Sequence, residues 1–416
     1  TIKVGETGKE THNSNGINLI KNSATNSITN TEIDMVGDSN IGVRVAEPGN
    51  MTFQGNHMKM SGTGNYGLYL APNKTISAIT NNSTTSDGSS NVGIFISDKA
   101  EITSISGGTH TVNGTTSTGV DINTKKNTTI ENNTFNVNNY SSTGIRAGRT
   151  DPDTGSTGNL TIKNSTFNIL NTSGSFGSNN NNTSASAGYL YNVTKTTVDP
   201  TTTFNIYKNS IGFEVENSGY DNREIAFTGQ DNSHYVIMNL KHSIDNSTKS
   251  GTTADPARKD SETGPLDGNI GFNIINGNFG TREGSRGINV HGNFDSHIES
   301  NENVLFNNQQ YASKLEFVVG TVNGTGTAIK TMDARNYTGQ GTIIVGTDPA
   351  YNSGPKKGFD KNVIFANLGW VSDATNSKVD LNHISVDGNY NTVAFFNRSI
   401  KNSHGYVDDN NAYHPT

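Results

Sequence analysis

Apolar and polar residues alternate along this chain, and the alternation itself repeats. The string Gly, apolar, any residue, apolar occurs at Gly16-Ile17-Asn18-Leu19, Gly42-Val43-Arg44-Val45, Gly67-Leu68-Tyr69-Leu70, Gly93-Ile94-Phe95-Ile96, Gly119-Val120-Asp121-Ile122 and Gly144-Ile145-Arg146-Ala147. Successive glycines are 26, 25, 26, 26 and 25 residues apart. Composition alone supplies scattered copies of such a string, but not a near-constant spacing over six of them. A second alternating stretch follows, about ten residues after the glycine in Ser27-Ile28 to Met35, Thr52-Phe53 to Met60 and Thr129-Ile130 to Val137, and 17 residues after Gly144 in Thr161-Ile162 to Ile169. Period-two alternation turns one row of side chains inward and one outward, and no 3.6-residue period competes with it.

A unit of about 25 residues holding two or three short strands cannot bury its inward Ile, Val, Leu and Phe alone; stacked on its neighbours it builds a continuous thin core. The predicted fold is therefore all-β, a right-handed parallel β-helix with coils of about 25 residues and protruding loops. Roughly 13 coils would give about 60 Å of rod at the ~4.8 Å strand spacing. Asn at equivalent bends, such as Asn132, Asn133 and Asn164, is expected to form side-chain ladders and to accept the left-handed backbone that turns need.

The register breaks in places. The next copies of the string are Gly188-Tyr189-Leu190-Tyr191, Gly212-Phe213-Glu214-Val215, Gly271-Phe272-Asn273-Ile274 and Gly287-Ile288-Asn289-Val290. The surplus residues predict loops at 149–158 and 171–186 within a regular segment 1–216. Residues 217–269 are either two coils or one coil with a large excursion, including the charged, Pro-rich run Asp255 to Asp267. Less regular coils follow over 270–416, with another loop at 347–361. Insertions in solenoids project from one face and often carry binding.

Composition narrows the function classes. With 61 Asn, 46 Gly, 16% charged residues and no Cys in 416 residues, helical bundles, disulfide scaffolds and Cys-ligated metals are excluded. A net charge of −7 without basic clusters argues against nucleic acid as a partner. No stretch approaches the ~18 consecutive apolar residues of a membrane helix, and Thr1 to Glu10 is too polar for a secretion signal, so any targeting segment is expected outside these residues. Sequons such as Asn50, Asn82, Asn113 and Asn127 are expected from so much Asn and Thr.

Chemistry would have to come from the outward column of the Gly strands, Asn18, Arg44, Tyr69, Phe95, Asp121 and Arg146, whose neighbours should lie one coil apart. Tyr69 beside Phe95, flanked by Arg44 and by Asp121 with Arg146, could stack on a sugar ring or clamp an extended peptide, or could simply stabilise the parallel ladder. Arg258, Lys259 and Asp260 are further ligand-binding candidates on the charged loop. Carbohydrate-active β-helix enzymes need paired carboxylates, and Asp121 and Glu214 each lack a second acid on an adjacent coil. The pairs Asp151/Asp153 and Asp408/Asp409 read as solvated turn residues. The Gly37-Asp38-Ser39-Asn40 run is a repeat bend rather than a nucleophile motif. No cofactor, metal or catalytic residue is assigned.

A Cys-free, Asn/Thr/Gly-rich β-helix of this period resembles the passenger domain of bacterial type V autotransporters, and its composition is similar to the large fusobacterial autotransporter adhesins. The resemblance is clearest over 16–215. It implies a surface-exposed adhesin, a monomer that attaches to a host-cell or bacterial surface protein or glycan receptor without covalent chemistry. It further implies a signal before these residues and an outer-membrane barrel after them. A β-helix lyase or hydrolase and a passive spacer are the alternatives.

Overall fold

The computed structural model describes residues 1–5, 12–20, 26–46, 51–71, 75–98, 100–148, 158–170, 185–207, 210–216, 223–228, 236–240, 270–275, 288–308, 314–317, 319–331, 337–344, 364–368, 379–387, 392–394, 406–407 and 413–414. Apart from a small antiparallel pair, Tyr406–Val407 with Tyr413–His414, the strand pairings are parallel and link each strand to its counterpart one coil away. The chain is a parallel β-helix with three strands per coil. One coil runs from Tyr66–Leu70 in the glycine sheet, through Thr75–Thr80 in a second sheet, to Ser83–Ser86 in a third. Val92–Ile96 then returns to the glycine sheet, directly against Tyr66–Leu70.

The sequence pattern reads the stretch after each glycine strand as one element, but it is bent into two sheets. The bend is made by a single residue in the left-handed region: Asn30, Gly55, Asn81, Gly107, Asn132 and Asn164, with φ of 50°, 68°, 53°, 62°, 57° and 39°. Asn and Gly tolerate that conformation where other residues pay a steric penalty. The expected Asn ladder forms here, Asn164 Nδ2 donating to Asn132 Oδ1 at 2.7 Å. A second, buried ladder lines the corner before the glycine sheet. The Asn40 amide donates to Asn65 Oδ1 at 2.8 Å, and the Asn65 amide to Asn91 Oδ1 at 2.7 Å. Ser117 and Ser142 continue it with hydroxyl acceptors. These side chains satisfy backbone N–H groups that the corner takes out of the sheet.

The glycine of the repeat is required by close approach. A Cβ on Gly67 would lie 2.4 Å from the carbonyl oxygen of Gly93 on the next coil, and on Gly42 it would lie 2.6 Å from that of Gly67. The core is the thin stack the repeat predicts, with Val43, Leu68, Ile94, Val120 and Ile145 fully buried in the glycine sheet. In the third sheet Phe135, Phe167 and Phe204 stack at centroid spacings of 4.8 Å with interplanar angles of 5° and 8°. His110 extends this stack onto Phe135 at 5.0 Å, and Thr84 Oγ1 meets its Nδ1 at 3.0 Å. Burial pushes the His110 imidazole down to about 4, against an opposing pull from the nearby Asn133 side chain.

Two register readings are corrected. Gly188 does not take the repeat's glycine position: Gly188 pairs with Ile145 and Tyr189 with Arg146. The glycine position is held by Ala187, and Gly188 makes room for the Phe213 ring, which a Cβ there would meet at 2.6 Å. Ile288, Asn289 and Val290 are not a glycine-sheet copy either, since they pair with Arg223, Glu224 and Ile225 in the second sheet. Between the glycine-sheet strands Ile211–Glu216 and Ile270–Ile275, the described strands Arg223–Thr228 and Val236–Leu240 supply the second and third sheets of one coil. Of the predicted loops at 149–158, 171–186 and 347–361, residues 149–157, 171–184 and 347–361 lie outside the described residues, as does the run Asp255 to Asp267, while Ser186 already belongs to the strand Ser186–Tyr191.

Candidate binding site

The outward column of the glycine sheet is ordered as the repeat predicts. Arg44 pairs with Asn18 below it and Tyr69 above, then follow Phe95, Asp121 and Arg146, one coil apart. The corrected register continues it with Tyr189 and Glu214. Period-two alternation puts these side chains on the face opposite the core.

Three aromatic rings meet in the middle. Tyr69 and Phe95 stack at 4.9 Å with an interplanar angle of 28°. Tyr66 stands edge-on to both, at 5.4 Å from Tyr69 and 5.5 Å from Phe95. All three are half-buried, so the cluster keeps accessible ring surface while its rotamers are held by neighbours. Stacked and edge-to-face pairs of this kind gain about 1 kcal/mol each beyond area burial.

Above the rings lies an ion pair. Arg146 Nη2 donates to Asp121 Oδ2, and Asn123 Nδ2 donates to Asp121 Oδ1 at 3.3 Å. Asp121 was expected on the exposed face, but its side chain is 0% exposed while that of Arg146 is 48% exposed. The longer side chain of the next coil folds over the shorter one, so Arg146 presents the charge and Asp121 only anchors it. Burial raises the Asp121 carboxyl, and the hydrogen bond and charge of Arg146 oppose that rise. Burial also raises the Tyr66 hydroxyl, reinforced by the Asp121 charge. Beyond the pair, Tyr189 donates to Glu216 Oε2 at 2.5 Å; burial and this bond hold its hydroxyl well above the ordinary range. At the other end Arg44 Nη1 reaches Asn18 Oδ1 at 3.5 Å.

Of the sequence-derived candidates, Arg44, Tyr69, Phe95, Asp121 and Arg146 come together here, while Arg258, Lys259 and Asp260 lie outside the described residues. Tyr66, Asn123, Tyr189 and Glu216 join the stripe without having been singled out. Tyr66 precedes its glycine where other coils carry Ile41, Val92 and Thr118, and that change of size was the available signal. Tyr189 was hidden by the one-residue register shift at Gly188.

The arrangement offers two aromatic faces for an apolar ligand surface and a fixed guanidinium beside them. Among the described residues no group of three or more His, Asp or Glu side chains could hold a metal ion. No family model, no curated protein and no solved structure matches the chain.

Proposed function

We propose that the chain is part of the passenger of a surface-exposed autotransporter adhesin, a rod that attaches non-covalently to a host-cell or bacterial surface receptor. The observation that supports this best is the half-buried Tyr66, Tyr69 and Phe95 cluster set beside Arg146 on the outer face of the rod. Rigid aromatic rings with an adjacent arginine are the side chains that dominate recognition surfaces, because they contribute large contact area at low conformational cost. The repeat architecture fits the role: each coil contacts only its neighbours, so length is extended without altering the site.

The test is saturable binding of the purified chain to host cells and partner bacteria, with competing free sugars, beside Tyr69→Ala, Phe95→Ala and a variant lacking 241–269. Retained circular dichroism with binding lost in the aromatic variants supports the stripe; loss only in the deletion moves recognition to that segment. No binding by the intact chain to any cell would overturn the adhesin reading in favour of a spacer.

A further inference from the structure

The outer face of the third sheet, away from the aromatic stripe, carries a second periodic feature. Thr134-Phe135-Asn136, Thr166-Phe167-Asn168 and Thr203-Phe204-Asn205 are the same triplet on three successive coils, paired residue for residue. Their phenylalanines point inward as the 4.8 Å stack. Alternation therefore sends the threonines and asparagines outward as two columns on the same repeat. Thr109 extends the threonine column by one coil, paired with Thr134.

The asparagines are locked to each other. Asn168 Nδ2 donates to Asn136 Oδ1 at 2.9 Å, and Asn205 Nδ2 donates to Asn168 Oδ1 at 2.9 Å. An amide has two N–H groups and two lone pairs, so Asn168 retains one of each after its ladder bonds. Among the described residues the hydroxyls of Thr109, Thr134, Thr166 and Thr203 have no hydrogen-bond partner in the chain. The two columns contain no charge. The result is a neutral grid of donors and acceptors whose spacing is fixed from beneath by an aromatic stack.

The geometry points to this grid as a binding face for an uncharged, extended β-1,4-linked polysaccharide lying along the rod axis. Such a polymer advances per sugar by slightly more than the ~4.8 Å strand spacing and turns over at each linkage, so successive coils meet successive sugars by alternating edges, both of which carry polar groups. A peptide lying along the rod would not match, because an extended strand advances ~3.3 Å per residue. A polyanion would find no cation among these residues. The hydroxyl and the spare amide groups each donate and accept, as sugar hydroxyls do. This face is independent of the aromatic stripe and does not rest on the adhesin reading.

The experiment is retention of the intact chain on microcrystalline cellulose and amorphous chitin, with α-linked dextran as control. Two variants accompany it: the triple variant Thr134→Val, Thr166→Val, Thr203→Val, and the single variant Thr166→Lys. Valine keeps the β-branched shape and removes only the hydroxyl, while lysine puts bulk and charge in the middle of the grid even if the triple variant folds poorly. Saturable retention on either β-linked polymer is expected, weakened at least about tenfold in both variants. Equal retention on dextran, undiminished binding by Thr166→Lys, or no retention on either polymer would each overturn the proposal. Shaping of ice crystals without polymer retention would assign the grid to a water lattice and overturn it as well.

Discussion

The guanidinium of Arg146 covers the fully buried carboxylate of Asp121 on the preceding coil, which also accepts a hydrogen bond from Asn123. The two residues are 25 positions apart in sequence, one turn of the helix. A pair in which one charge is sealed and the other half in water behaves asymmetrically when cut.

Arg146→Ala leaves the buried carboxylate uncompensated and is expected to cost about 3 kcal/mol at neutral pH, whereas Asp121→Asn, which keeps the shape and strands only an exposed cation, costs less. The loss in Arg146→Ala shrinks as pH falls. Without the guanidinium, burial of Asp121 is no longer opposed by the Arg146 charge, so its folded-state pKa rises further above the unfolded value, and protonation then favours the folded state. Urea midpoints of both variants between pH 8 and 4 check the order and the slope; equal losses at all pH values would contradict it.

His110 gives the opposite slope. Its folded-state pKa is about 4 and its unfolded value 6.5, so the unfolded chain binds the proton more readily. Stability is full above about pH 6.5 and falls by about 3 kcal/mol as pH drops to about 4, with no further loss from this group below that. His110→Phe continues the stack on Phe135 and removes the titration. Melting temperatures across that window should decline for the parent chain and much less for the variant.

The buried ladder at Asn65 is expected to matter more than its polarity suggests. Asn65→Ala orphans the Asn40 amide and the Gly37 carbonyl, costing about 2 to 3 kcal/mol. Asn65→Ser, the residue type used at positions 117 and 142, should recover part of it. Hydrogen exchange at the Asn40 amide, fast in Ala and slowed again in Ser, is the direct readout.

Gly188 and Phe213 are coupled by space. Gly188→Ala drives a methyl into the Phe213 ring and should cost about 1 to 3 kcal/mol. In a Phe213→Leu background the same change should be nearly neutral, which a double-mutant cycle measures as a coupling that cancels the cost of Gly188→Ala alone.

The sequence by itself determined the solenoid, because a parallel stack must repeat its inward residues, its close-contact glycines and its left-handed bends at one period. The column from Asn18 to Arg146 was legible for the same reason. Tertiary structure alone decided what departs from the period. Whether Gly188 or Ala187 holds the glycine position depends on the Phe213 ring from the next coil, and Ile288 joins the second sheet through pairing rather than through any local pattern. Alternation placed Asp121 outward, and only the length of Arg146 above it decided that its carboxylate is sealed from water. The Thr and Asn grid lies between these cases: its triplets are written in the chain, but their shared spacing and free hydroxyls follow from the phenylalanines stacked beneath them. Periodicity fixes which residues become neighbours, while side-chain size, reach and burial settle what those neighbours do to one another.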